Sequence, residues 1–167
     1  MESSVEGVMI HGDYIAFWGS VFSNFFPCEF HLEGAKWCCS EQYYMYKKAV
    51  TFNDFEVALQ IRQEVAPKVI KQLGRQVRGF DENVWNAVSL EFMKKAVLAK
   101  FEQNDYLRSY MFLPEFEGKH FVEGSPVDNI WGCGISWKDP AIADKANWTG
   151  KNLLGQTLDW VKEQLGK

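Results

Sequence analysis

The apolar positions of this chain change period along its length, and each change marks an element. Residues 13–18 (DYIAFW) are β-branched and aromatic, which suits a short strand ended by Gly19 and Ser20. The aromatic run that follows is broken by Ser23-Asn24, whose side chains bond nearby backbone and predict a turn. Residues 28–32 and 35–38 predict two strands joined around Glu33-Gly34. From there the period becomes helical. Ser40 is the expected N-cap of a helix that starts at Glu41 and runs to about Val50. Asn53 or Asp54 caps a second helix over residues 55–64, and Pro67 opens a third that runs through Val69, Ile70 and Leu73 to Gly74. Asp81 caps the longest helix, in which Trp85, Val88, Phe92, Ala96 and Ala99 fall at helical spacing on the way to Gln103. Another helix begins at Asn104 or Asp105 and passes through Tyr110; Pro114 ends it, and residues 115–119 form a loop. Residues 120–123 return to strand. A last helix follows Asn152 through Leu153, Leu154, Leu158, Val161 and Leu165. The expected fold is α+β, a predominantly α-helical single domain over residues 1–167 with a few short strands near the N-terminus and around residues 120–123.

Composition narrows the function classes. At 47% hydrophobic and 16% aromatic, 167 residues can bury a real core, which excludes a disordered chain. The 18 basic and 22 acidic residues leave a net charge of −4, so the surface has no general attraction for DNA, RNA or anionic lipid. A phosphate-bearing ligand must therefore find a local basic pocket. The N-terminus has no signal-peptide character, and no run of roughly 18 apolar residues is present to span a membrane. A soluble cytoplasmic protein is the expectation. The four cysteines (Cys28, Cys38, Cys39, Cys133) contain no CxxC, and the three histidines are scattered, so no metal site is implied. Adjacent Cys38 and Cys39 are expected to be buried thiols.

Candidate chemistry sits where polar residues interrupt the apolar pattern. Helical spacing puts Glu41, Tyr44, Met45 and Lys48 on one face, an acid, an aromatic, a thioether and a base where a core stripe would be purely apolar. The plain alternative is a helix-start charge and a solvated lysine. Asn24 lies among phenylalanines that would bury it, so its amide needs backbone or ligand partners. Arg75 and Arg78 lie between Gly74 and Gly79, and arginine forks match phosphate oxygens; pairing with surface carboxylates is the alternative. Trp85, near the start of the longest helix, can pack in the core or stack on a flat ring. Residues 124–134 are dense in turn formers and carry Asp128 and Trp131. Their Gly132-Cys133-Gly134 is not a dinucleotide fingerprint, for it lacks the third glycine and the strand–helix context.

Taken in order, these pieces resemble a known family. Phe22-Ser23-Asn24-Phe25, Trp37, Ser40-Glu41-Gln42-Tyr43-Tyr44 and Lys48 are followed by Gly74-Arg75, Trp85, Met93-Lys94-Lys95-Ala96 and Lys100-Phe101. Val122-Glu123, Asp128, Ile130-Trp131-Gly132, Trp148, Gly150, Asn152 and Leu154-Gly155 complete the set. The chain is similar to the NADAR/YbiA-like N-glycosidases along nearly its whole length. The resemblance implies an α-rich α+β domain that cleaves the bond between a ribose and a nitrogenous group. Family members act on phosphorylated ribosylamino-pyrimidine intermediates of riboflavin synthesis or remove ADP-ribose from modified guanine. It further implies Glu41, Asp128 and Lys48 as catalytic residues. Trp85, Asn24, Arg75, Trp131, Tyr44 and Phe22 are the implied substrate-binding residues. The implied partner is a small nucleotide-type substrate, or an ADP-ribosylated guanine in nucleic acid, with no metal or redox cofactor and no membrane. The rival class is a non-catalytic ADP-ribose or nucleotide-binding module, which would have no use for Glu41 and Lys48 together.

Overall fold

The structure, a computed structural model, describes residues 1–167. Five short strands and six helices follow in the order β1 (Val8–His11), β2 (Tyr14–Phe17), β3 (Phe30–Leu32), β4 (Ala35–Trp37), α1 (Ser40–Thr51), α2 (Phe55–Gln63), α3 (Pro67–Arg75), α4 (Glu82–Glu102), α5 (Asp105–Met111), β5 (His120–Glu123) and α6 (Leu153–Leu165). This is the α+β, mainly helical architecture that the periodicity predicts. The chain divides into two compact units, one made of Met1–Ser23 with Asp105–Lys167 and the other of Asn24–Asn104.

The unit containing both termini is built on a three-stranded sheet in the order β1-β2-β5. β1 pairs antiparallel with β2 and β2 pairs parallel with β5, with Ile15 opposite Phe121 and Ala16 opposite Val122. All four of those side chains are buried. Packed beside them is an aromatic cluster in which Phe22, 1% exposed, meets Phe17, Phe116 and Phe121 edge-on or tilted. The sequence suggests Phe22 as a ligand contact; its ring is first of all a core ring. β1 was not expected, and residues 114–116, expected as the helix stop and the start of a loop, form a 3₁₀ turn.

The unit of Asn24–Asn104 is organised around α1, against which α2, α3 and α4 all pack. Being covered on several sides explains why α1 lacks a simple apolar stripe. Ser40, Glu41, Gln42, Tyr43, Tyr44, Met45 and Ala49 are all buried. The hairpin β3–β4 turns at Glu33 and Gly34, both at positive φ, as a two-residue turn of type I′ requires. Asp54 and Asp81 cap α2 and α4 through their carboxylates, and Pro67 opens α3. The start of α1 departs from expectation. Its N-cap is Cys39, in extended conformation and with no side-chain cap bond, while Ser40 is the first helical residue. The Glu41 N–H instead donates to the Asn24 carbonyl at 3.1 Å, so the preceding turn satisfies a donor that a serine cap would have taken.

Candidate active site

The residues of the run from Ser40 to Tyr44 differ in what they contact. Ser40 is fully buried, and its Oγ finds no hydrogen-bond partner. Gln42 works as a clamp. Its Oε1 accepts from the Cys38 N–H at 2.8 Å, and its Nε2 donates to the carbonyls of Ile61 at 3.0 Å and Glu64 at 3.1 Å. One amide therefore ties the entry of α1 to carbonyls at the C-terminus of α2. Tyr43 packs edge-on against Trp37 and donates its hydroxyl to Glu33 at 2.8 Å, which anchors the hairpin tip to α1. Gln42 and Tyr43 are positioning residues that the reading of one mixed face did not single out. The signal was present, since a polar amide at a helix start followed by aromatics is poorly explained by core packing alone.

The predicted mixed face is real. Glu41 is buried at 7% exposure, and Lys48 is half-buried two turns along. Burial pushes the Lys48 amine below the ordinary lysine value; the charge of Glu41 opposes that shift and the charge of Arg75 reinforces it. The ammonium sits 4.6 Å from the centre of the Phe80 ring, which supplies a cation–π contact in place of water. Between Glu41 and Lys48, Tyr44 packs on Trp85 with ring centres 5.1 Å apart, and Trp85 stacks on Phe92 at 5.9 Å. Trp85 is only 6% exposed, so packing takes most of its surface.

Gly74 explains how Arg75 reaches this face. A side chain on Gly74 would run into the sulfur of Met45, so α3 can approach α1 closely only without one. Arg75 follows at the end of α3, exposed, within electrostatic reach of Lys48. Arg78, its apparent twin in sequence, has a different place. Its guanidinium pairs with Asp54 at 2.8 Å and with Glu56 at 3.2 Å, and its own N–H donates to Asp54. This is the carboxylate pairing that the sequence leaves open. Asn24 also differs from an ordinary turn residue: its Oδ1 is buried and meets no hydrogen-bond partner.

Asp128 belongs to the other unit and is held by backbone bonds. Its Oδ1 accepts from the N–H groups of Ile130 at 3.0 Å and Trp131 at 2.9 Å, and its own N–H donates to Ser125 Oγ at 3.1 Å. The loop around it is zipped to the chain that leads into α6. Lys151, Asn152, Leu153 and Leu154 donate in turn to the carbonyls of Asn129, Gly132, Ile130 and Trp131. Asn152, left-handed at φ 53°, accepts from the Glu123 N–H at 2.9 Å and donates to the Phe121 carbonyl at 3.1 Å. Gly155 packs so near Phe121 and Asn152 that no side chain fits there. Asp128 is thus a turn residue in the structural sense, and the turn fixes its carboxylate on an ordered frame. No group of three or more histidines, cysteines or acids is arranged to hold a metal ion.

An α+β fold that buries a carboxylate and a desolvated lysine along one helix has the character of an enzyme. Residues 16–166 match the NADAR domain, and the chain belongs to that family. It is similar to Protein irg-1 of Caenorhabditis elegans, at 38% identity over 87% of this chain and 75% of the relative. It is 34% identical to an N-glycosidase of Acanthamoeba polyphaga mimivirus, over 86% of both chains. N-glycosidase YbiA of Escherichia coli is 33% identical, over 86% of this chain and 80% of its own. The NMR structure of Escherichia coli YbiA superimposes with a TM-score of 0.75 at 28% identity, covering 96% of this chain and 89% of that one. With named N-glycosidases at 33–34% identity over most of its length, this protein is an enzyme of the N-glycosidase class. No helix is long and apolar enough to cross a membrane.

Proposed function

We propose that the protein hydrolyses the carbon–nitrogen bond between a phosphorylated ribose and a nitrogenous base, in a small nucleotide-type substrate of the ribosylamino-pyrimidine phosphate kind or in ADP-ribosyl-guanine. The observation that carries this reading is Glu41 buried on the same face of α1 as Lys48, whose amine burial and Arg75 hold toward the neutral form. Breaking an N-glycosidic bond builds positive charge on the ribose carbon and negative charge on the departing nitrogen. A carboxylate fixed on a helix before that charge appears stabilises it without reorganisation, or takes a proton from the attacking water. Lys48 offers a second route. A neutral amine attacks the anomeric carbon of the opened sugar, the base leaves with a proton, and water then releases the sugar from the resulting imine.

The remaining roles follow from chemistry. Arg75, exposed and without a carboxylate pair of its own kind such as Arg78 has, is the phosphate contact. The buried Oδ1 of Asn24, which meets no partner within the protein, is the acceptor offered to a substrate donor. Tyr44 and Trp85 form an aromatic wall on the α1 face; the substrate-binding role of Trp131 rests on the family resemblance. Asp128 orients a ribose hydroxyl or carries the proton to the leaving nitrogen; its assignment rests on its family match. Phe22 serves through the core it packs in. Residues 1–167 are taken as one NADAR domain, because the family match runs across both units. The four free cysteines suit a cytoplasmic protein.

The test is a side-by-side hydrolysis assay. Wild type and Glu41→Gln receive an ADP-ribosylated guanine oligonucleotide and a ribosylamino-pyrimidine phosphate, with products separated by chromatography. Release from one substrate by wild type alone supports the reading and selects the substrate. Release from neither, with ADP-ribose still bound, overturns it for both substrates.

A further inference from the structure

The rings beside Lys48 form a chain that is closed at one end and open at the other. Trp85 is enclosed: Tyr44, Phe92 and Phe52 lie around it with ring centres 5.1, 5.9 and 6.5 Å away. Tyr44 and Trp85 are buried, and Phe52 and Phe92 are half-buried. Phe80 is the open end of the chain. It meets Phe52 in a T-shaped contact at 5.4 Å, and 46% of its surface is exposed. A flat ligand needs ring surface to lie on, and in this chain Phe80 is where that surface remains.

Exposure alone would mean little, since single apolar side chains on a surface are ordinary. Phe55, 63% exposed at the start of α2, is of that kind and makes no ring or cation contact. Phe80 is exposed and also held. The Lys48 ammonium lies 4.6 Å from its ring centre, and Phe52, the C-cap of α1, braces it. The short segment that carries it is pinned in its middle. The Arg78 N–H donates to Asp54 at 2.8 Å, and the Arg78 guanidinium donates to the same carboxylate at 3.2 Å and 2.8 Å. Asp54 is buried and caps α2, so the segment is tied to the joint between α1 and α2. Gly79 then turns at φ 75°, a conformation that glycine adopts freely, and Asp81 caps α4 directly after Phe80. A ring fixed in this way loses little freedom when a ligand stacks on it.

We propose that Phe80 is the base-stacking platform of the site, the ring on which the planar nitrogenous base of the substrate lies. The proposal rests on the glycosidase reading of the α1 face and adds the residue that holds the group to be released. Lys48 joins the two functions, because its amine shares one helix face with Glu41 and touches the Phe80 ring. Stacking sets the kind of recognition. Every base has a π face, and a phenyl ring has no hydrogen-bonding group with which to choose among them. The platform therefore accepts a purine or a pyrimidine, and it gives no affinity to a sugar phosphate that lacks a base.

The experiment titrates the full chain by calorimetry with guanosine monophosphate, uridine monophosphate and ribose 5-phosphate, which share a phosphorylated ribose and differ in the base. In the wild type both nucleotides should bind about tenfold more tightly than ribose 5-phosphate. Phe80→Leu keeps apolar bulk against Phe52 and removes the flat ring. It should weaken both nucleotides about three- to tenfold and leave ribose 5-phosphate unchanged. Phe80→Trp keeps a flat ring and should hold nucleotide affinity within about twofold of wild type. A purely structural role for Phe80 would move all three ligands together, and that result overturns the proposal. So does a wild type that binds the nucleotides no better than ribose 5-phosphate, or nucleotide affinity that Phe80→Leu leaves unchanged. A protein that keeps the Phe80-dependent affinity but hydrolyses neither an ADP-ribosylated guanine oligonucleotide nor a ribosylamino-pyrimidine phosphate would overturn the glycosidase reading instead, with Phe80 standing as the ring of a nucleotide-binding site.

Discussion

Glu41 and Asp128 are the two acids proposed for the site, and the molecule holds them in different ways. Glu41 sits on a regular helix enclosed by three others, and what surrounds it is buried side chains. Asp128 sits in a loop with no regular structure, and what holds it is a set of backbone N–H groups. On the helix, position comes from phase, so Glu41 and Lys48 share a face whichever residue caps the helix. In the loop, position comes from the carboxylate itself, which makes the turn that aims it. Mutation should therefore separate chemistry from structure cleanly at Glu41 and poorly at Asp128.

The largest effect is expected at Glu41→Gln, which keeps shape and removes charge. Turnover should fall by about 10²–10⁴-fold with the melting temperature nearly unchanged, as read by product release and thermal denaturation. Loss of folding with loss of activity would mean that Glu41 is held for structure. Next in size is Lys48→Met. Turnover should fall on the order of 10²-fold, and any adduct trapped by borohydride on the wild type should vanish. In the wild type the covalent route requires the rate to rise with pH as the amine loses its proton, with an inflection below the ordinary lysine value. The sign for stability agrees. Between the depressed folded value and the ordinary one the unfolded chain holds more protons, so stability gains with rising pH in that window, and Lys48→Met should remove this gain in denaturant titrations.

Gly74→Ala tests the helix side of the comparison without touching an acid. The added methyl meets Met45, and the expected cost is about 1–3 kcal/mol by urea denaturation. The smallest effect is a contrast between two variants at Asp128. Asp128→Asn keeps an oxygen for the Ile130 and Trp131 N–H groups, whereas Asp128→Ala leaves both without their acceptor at about 1–2 kcal/mol. Equal stability of the two would show that the loop does not need its carboxyl oxygen.

Local signals were legible in the sequence and long-range ones were not. Asp54, Asp81 and Pro67 announce helix starts because a cap is a short-range bond, and the structure puts them there. Glu33-Gly34 announces the hairpin for the same reason. Ser40 misled because a residue of cap type directly after an extended cysteine carries no sign of which one the chain will use. The parallel pairing of β2 with β5 joins residues about a hundred positions apart, and no local period encodes it. At the site, helical phase alone gathered Glu41, Tyr44, Met45 and Lys48. The separate fates of Arg75 and Arg78 were not readable, since they depend on Asp54 reaching back from the start of α2.

The pairing of the Asp128 loop with the approach to α6 has a consequence for inheritance and for engineering. Four consecutive N–H groups from residues 151–154 bind carbonyls of residues 129–132, so the two stretches form one module written in two places. A chimera that imports residues 124–134 from a relative and keeps its own residues 149–155 would bring donors and acceptors of different spacing together. Transplanting both stretches at once preserves the match. Drift in one stretch is then tolerated only when the other follows, and substrate preference encoded in this loop should travel between relatives as a pair of segments rather than as a single loop.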